Sequence, residues 1–285
     1  MNESQQSINL DVPNLTSAKI AIIGGGNIGV ALAQGLAQSS KYKEKEIIIT
    51  RRRPQKLQKL GSNGFLITDN NRLAVSNSNV VVLAVLPQQI SEVIEEIKDV
   101  LTESHVLVSA VSGVSIKNII DLIGKQIHVV RAMPNTAISI GESMTCIAAL
   151  TRSSDKITDV RELFDTVGVT MVINETQMTS ATALCACGIA FFLRAIRAAS
   201  QGGTEIEFHA TEALKMAAQT AKGAAGLLLA NNTHPEDEID KVTSPKGCTI
   251  AGLNQMEHHG FSSAFIKGIT TSAIKANGLY EHEES

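Results

Sequence analysis

The chain has 285 residues, 44% of them hydrophobic, with a net charge of -3, 3% aromatic residues and no Trp. That is enough apolar material for one large domain or two ordinary ones. The mild negative charge argues against nucleic acid or an anionic membrane surface as partner, and the scarcity of aromatics against a base-stacking platform.

Residues 1–17 are polar, lack a basic-then-apolar signal pattern and read as a loose arm. Residues 19–23 form a short β-rich run that ends in Gly24-Gly25-Gly26-Asn27-Ile28-Gly29, and an alanine-rich helix follows over 30–38. Strand, G-x-G-x-x-G, then helix is the context in which this motif binds a dinucleotide. Gly24 makes the tight turn, Gly26 lets a pyrophosphate approach the backbone, and Gly29 lets the helix pack on the strand.

The second strand, 46–50, runs into Thr50-Arg51-Arg52-Arg53-Pro54. An NAD-selective site would carry Asp or Glu there, whereas guanidinium groups pair with a 2′-phosphate. NADPH is therefore the expected cofactor, with NADH as the alternative. Further strands are expected at 79–85, 105–110, 127–131, 144–149 and 169–173, with helices at 88–101, 116–123 and 155–166 between them. This alternation predicts a Rossmann-type, doubly wound, mostly parallel sheet whose strand exits line one crevice.

After residue 173 the β signal stops, and helices are expected at 175–200, 207–230, 235–242, 249–258 and 262–277. The window 176–193 is the most apolar and reads as a buried helix rather than a membrane span, because Thr, Ser and Gln interrupt it. A helix this apolar in a small domain predicts a homodimer through the helical half. The domain reading is thus an arm over 1–17, a dinucleotide-binding domain over 18–174, and an all-α dimerisation and substrate domain over 175–285.

The four cysteines, Cys146, Cys185, Cys187 and Cys248, make neither a disulfide framework nor a metal knuckle, which fits a cytoplasmic location. Cys185 and Cys187 read as small core residues on different sides of a helix. His258 and His259 are adjacent, so they do not share a helix face, and no metal is expected. The turn Thr243-Ser244-Pro245-Lys246-Gly247-Cys248-Thr249 opens a helix. Its backbone N–H groups suit a small carboxylate, although from this segment alone a plain helix cap is the favoured reading.

With these pieces in order, the chain after Ser17 resembles the pyrroline-5-carboxylate reductase family. The resemblance rests on the glycine loop, Ala84-Val85-Leu86-Pro87, Val111-Ser112-Gly113-Val114-Ser115-Ile116, Arg131-Ala132-Met133-Pro134-Asn135-Thr136, and most specifically Val242 to Thr249 running on to Gly252-Leu253. It implies NAD(P)H-dependent reduction of 1-pyrroline-5-carboxylate to L-proline, the last step of proline biosynthesis. It also implies a homodimer that assembles further as a ring of dimers.

The cofactor residues implied are Ile23, Gly24, Gly25, Gly26, Asn27 and Ile28 at the pyrophosphate, to which the residues themselves add Gly29, packing the helix on the strand, and Arg51 and Arg52 beyond the second strand. Asn71, Ala84, Val85, Leu86 and Pro87 belong to the adenosine side, Ser112 to the nicotinamide ribose, and Lys241 reaches in from the helical domain. Glu175, Ser244, Gly247, Cys248 and Thr249 are implied to hold substrate, with Thr249 as the catalytic residue. Three departures from the family pattern stand out: Lys246 in place of a glycine, Leu86 in place of a lysine, and Cys185-Ala186-Cys187-Gly188-Ile189-Ala190-Phe191 in place of a serine-rich loop.

Two rival readings are a β-hydroxyacid dehydrogenase and a non-catalytic NADP-binding sensor. The first needs a Lys donor on the first long helix of the second domain, and residues 175–200 contain none. The second has only the Lys246 and Leu86 departures behind it.

Overall fold

In the computed structural model the described residues are 18–150 and 155–279, so the arm expected at 1–17 lies outside them. They fall into two compact units. One holds the chain up to Ala186 and again from Lys275, and the other is Cys187–Ile274.

The first unit runs β1 (Ile20–Ile23), α1 (Asn27–Gln38), β2 (Ile47–Thr50), α2 (Gln58–Ser62), β3 (Leu66–Thr68), α3 (Asn71–Ser76), β4 (Val80–Leu83), α4 (Ile90–Ile97), β5 (Val106–Ser109), α5 (Ile116–Ile123), β6 (His128–Met133), β7 (Ser143–Ala149), α6 (Asp155–Asp165) and β8 (Gly168–Val172). The eight strands described make one sheet in the order β3-β2-β1-β4-β5-β6-β7-β8. Neighbours are parallel except β6 and β7.

Period-two alternation decides which side chain goes where. Ile20 and Ile22 pack with Leu32 and Leu36 of α1 and with Leu163 and Phe164 of α6. Ala21 and Ile23 pack on the opposite face with Ile90 and Ile94 of α4 and Ile119 of α5. Both faces are covered, which is why β1, β2, β4 and β5 read as unbroken aliphatic runs.

The order reverses between β1 and β4, so their C-terminal ends open a crevice there. The connection from β6 to β7 is a single turn, Thr136–Ile140, closed by Gly141 at φ 72°. That is too short for a crossover helix, so β7 returns antiparallel. The strand β3, with three residues, carries no periodic signal of its own and is the one element of the sheet absent from the sequence expectation.

The chain then runs from Glu175 to Glu205 as one helical stretch of 31 residues. It comprises α7 (Met178–Ala181), a π-helical turn at Thr182–Cys187, and α8 (Gly188–Glu205). The remaining elements are α9 (Ala210–Asn231), α10 (Pro235–Lys241), α11 (Cys248–His258) and α12 (Phe261–Asn277). Within the second unit α9 packs back on α8, and a Cβ on Gly203 would stand 2.9 Å from that of Ala213. Phe265 gathers Phe191, Phe192 and Phe261 at ring-centroid distances of 6.2, 5.4 and 5.8 Å.

The stretch Glu175–Glu205 is long and apolar enough, by length and composition, to cross a membrane, yet 22% of its most apolar window is buried inside the chain. The expectation of a buried helix is therefore not met within one chain: Leu184, Phe192 and Leu193 are all more than half exposed. Leu229 on α9 and Ile266 and Ile274 on α12 are exposed as well. Apolar surface of this extent calls for a cover.

Candidate active site

The C-terminal ends of β1, β2, β4 and β5 enclose a cavity of about 820 Å³. Its lining holds Ile23, Gly24, Gly25, Gly26, Asn27 and Ile28 from the glycine loop, and Arg51 and Arg52 from the end of β2. Asn71, Ala84, Val85, Leu86, Pro87 and Ser112 line it as well, whereas Gly29 and Lys241, also assigned to the cofactor from the sequence, do not.

Within the loop the glycines do separate jobs. Gly24 has φ +112°, and a Cβ there would meet the Ala84 carbonyl oxygen at 2.5 Å. Gly26 caps α1 in extended backbone, without a side-chain cap, and a Cβ on it would meet nothing within 4 Å. The first N–H groups of α1 therefore carry no side-chain acceptor and make a positive helix end suited to an anion. Gly29 does not line the cavity; it lies beneath, where a Cβ would meet the Gly24 carbonyl oxygen at 2.1 Å.

The loop is tied to β2. Thr50 accepts from Gly25 N–H at 2.6 Å through its carbonyl and from Gly24 N–H at 3.3 Å through its hydroxyl. Arg51 donates to the Gly25 carbonyl at 2.7 Å, which braces its guanidinium across the loop. Arg52 pairs with Glu92 of α4 at 2.7 Å, both side chains being largely exposed. Arg53 and Lys56 add two further cations to the same wall. Lys56 was not singled out from the sequence; its place in the turn just after Pro54 was the available signal. Asn71 donates to Glu96 at 2.8 Å, and the Ser112 hydroxyl lies 3.9 Å from the Met133 sulfur.

Glu175 stands beside the β5 exit. Its carboxylate accepts from Ile116 N–H, in the first turn of α5, at 2.6 Å, and from Arg131 at 3.5 Å. Arg131 is buried, with Nε lacking a partner. Burial lowers its pKa from the usual guanidinium value, and the Glu175 charge opposes that shift. The carboxylate expected at the substrate is thus held in place by a helix end and a buried cation.

The remaining candidates belong to the second unit. Thr243 donates to the Ile239 carbonyl at 2.8 Å, and Gly247 N–H closes back on the Ser244 carbonyl at 2.9 Å. Gly247 then caps α11 in extended backbone, with no side-chain cap and no acidic residue in the first turn. Cys248 and Thr249 open the helix, Cys248 exposed and Thr249 partly so. Lys241 is engaged by Glu238 at 2.8 Å.

Gly247 is not the residue with unusual backbone; it is kept small because a Cβ would stand 2.5 Å from the Ser244 hydroxyl. Lys246 carries the left-handed conformation instead, at φ 58°. A side chain there costs about 1–2 kcal/mol, partly offset by the stiffer unfolded chain. Lys246→Gly is expected to stabilise the protein by about 0.5–1 kcal/mol, read as a higher urea midpoint at unchanged slope.

A family model described as pyrroline-5-carboxylate reductase dimerisation matches residues 175–279, and one described as NADP oxidoreductase, coenzyme F420-dependent, matches residues 19–113. The chain is 50% identical over 277 residues to pyrroline-5-carboxylate reductase 1 of Dictyostelium discoideum; the match covers 93% of this chain and 50% of that relative, so the chain spans about half its length. It is 46% identical over 274 residues to pyrroline-5-carboxylate reductase 2 of the same organism, covering 90% of this chain and 92% of the relative. Its fold is that of the Plasmodium falciparum pyrroline carboxylate reductase crystal structure with NADP bound, at a TM-score of 0.85, 24% identity, and coverage of 93% and 99% of the two chains. The helical half is a dimerisation domain, which accounts for the apolar faces left open on a single chain. With 46% identity to a relative covered over 92% of its length, the chain belongs to the pyrroline-5-carboxylate reductase family.

Proposed function

We propose that this chain reduces 1-pyrroline-5-carboxylate to L-proline with NADPH, as a homodimer in the cytoplasm. The observation that carries the reading is the single crevice in which the glycine loop, the β2-exit cations and Ser112 meet. Bound there, the nicotinamide supplies the hydride. The residues present fit such a cofactor: an uncapped helix end behind Gly26 for the pyrophosphate, and Arg51, Arg52, Arg53 and Lys56 for a 2′-phosphate.

In this reading the Ser244–Thr249 turn holds the substrate. The N–H groups of Cys248 and Thr249 receive the substrate carboxylate, and the Thr249 hydroxyl orients the imine nitrogen. A threonine hydroxyl is too weak an acid to give up its proton freely, so Thr249 positions the ring or relays to water. Glu175, held by Ile116 N–H and Arg131, places negative charge near the nitrogen as it gains its proton. Lys241 contributes to cofactor binding. Most of the acceleration comes from holding the imine carbon against the hydride donor.

Mixing the protein with NADPH and pyrroline-5-carboxylate tests the whole reading: the reduced-cofactor absorbance falls and proline appears, whereas a flat trace overturns it. Arg52→Ala is expected to raise KM for NADPH about tenfold and leave that for NADH within a factor of two, since a lost charge-assisted bond is worth about 1.5–3 kcal/mol. Light scattering reports the assembly: twice 30.3 kDa for the dimer, a larger multiple for the ring of dimers we also propose.

A further inference from the structure

Two thiols that this reaction does not use face each other at β7, one strand in from the edge of the sheet. Cys146 lies on β7, in an apolar cluster with Met133, Ala148, Met178 and Ala181. Cys185 packs against the same cluster from the π-helical turn that follows α7. Such turns shift side chains off the regular helical positions and recur at functional sites. Both residues are in the first unit, and their sulfurs are 3.9 Å apart. The backbone of Cys185 is held by Asn135, whose side-chain amide donates to its carbonyl at 3.2 Å. Cys146 is buried, while Cys185 is partly open.

The pair is chemically unequal. With the Cys146 S–H donating, the Cys185 thiol is drawn down to about 7. The same hydrogen bond, with burial, pushes Cys146 far up. The thiolate is the nucleophilic form, so Cys185 is the reactive member and Cys146 the waiting one.

From this juxtaposition we infer that Cys185 and Cys146 form a thiol–disulfide site, oxidised by a peroxide and reduced again by a dithiol. The Cys185 thiolate attacks a peroxide oxygen, the O–O bond breaks, and the departing oxygen leaves as hydroxide or alkoxide, giving a sulfenic acid on Cys185. Cys146 sulfur then attacks the Cys185 sulfur. The S–O bond breaks, the S–S bond forms, and the Cys146 proton leaves with the hydroxyl as water. Two thiols are oxidised and one peroxide is reduced. The sulfurs, 3.9 Å apart, close to a bonded length of about 2.05 Å in the disulfide.

The bond would staple the helical stretch to β7 beside Met133, whose sulfur lies against the Ser112 hydroxyl on the crevice wall.

The test uses the full chain, reduced, freed of reductant and exposed to hydrogen peroxide. Titration of denatured protein is expected to fall from four thiols to two. Peptide mapping should join Cys146 to Cys185, and dithiothreitol should restore all four thiols. In Cys146→Ser, Cys185 is expected to stop at the sulfenic acid and be captured by dimedone. Retention of all four thiols in the wild-type protein, a crosslink through Cys187 or Cys248, or the same two-thiol loss in Cys185→Ser overturns the proposal. No arm of the experiment involves proline formation, so the result is independent of the proposed reaction.

Discussion

Gly29→Ala is expected to destabilise the cofactor domain, while Gly26→Ala, three residues earlier, is expected to weaken only cofactor binding. At Gly29 the new methyl would stand 2.1 Å from the Gly24 carbonyl oxygen and 3.1 Å from Ile22. Backbone cannot yield as a flexible side chain would, so α1 must lift from β1. Overpacking of this kind costs about 1–3 kcal/mol or more. In a chain of this size that lowers Tm by roughly 3–10 °C.

At Gly26 the methyl meets nothing, and the backbone is already extended at φ -83°. Stability should hold within about 0.5 kcal/mol, as for an ordinary exposed substitution. The methyl would, however, occupy the face of the loop that a pyrophosphate has to approach, and Kd for NADPH is expected to rise at least about tenfold, roughly 1.4 kcal/mol. Thermal melts with and without NADPH separate the two effects. Equal Tm losses for both variants would remove the division of labour argued for this loop.

Thr249→Ala is expected to lower kcat/KM by roughly 10- to 1,000-fold, the range for one lost polar contact in a polar pocket. The residue sits in the first turn of α11, behind a Gly247 cap that supplies no side chain, so its hydroxyl is not spent on capping the helix. Loss in kcat with KM nearly constant would mark an interaction made mainly in the transition state; loss in KM alone would mark uniform binding. Thr249→Ser keeps the hydroxyl and is the control, expected within about tenfold of wild type. Steady-state activity of Thr249→Ala within a factor of two of wild type removes Thr249 from the chemistry.

Much of this was legible in the residues, for local reasons. The strand–loop–helix at 19–38 combines a β-branched run, glycines at fixed offsets and an alanine-rich helix, and each signal needs only its neighbours in the chain. Residues around the crevice could be named because strand exits in a doubly wound sheet share one edge. The three-residue strand β3 escaped because it is too short for a period to show. Lys56 escaped because it earns its place only through the fold, on a turn that follows Pro54.

Other features depend on residues that only folding brings together. The charge cluster 51–53 is legible as cationic, but the sequence could not tell that Arg51 is braced on the Gly25 carbonyl while Arg52 pairs with Glu92, 40 residues away. Nor could it tell that the carboxylate of Glu175 rests on Ile116 and Arg131. Cys146 and Cys185, 39 residues apart, read as unrelated small residues until β7 and the π-helical turn set them face to face.

The linear chain, then, settled the fold class, the family and most of the strands, because hydrophobic period, turn chemistry and motif spacing are short-range properties. Tertiary structure decided which loop position carries the strained backbone, which cations are already engaged and which thiols meet. Those outcomes are contacts across the sheet, and contact across a sheet is set by packing rather than by nearness along the chain.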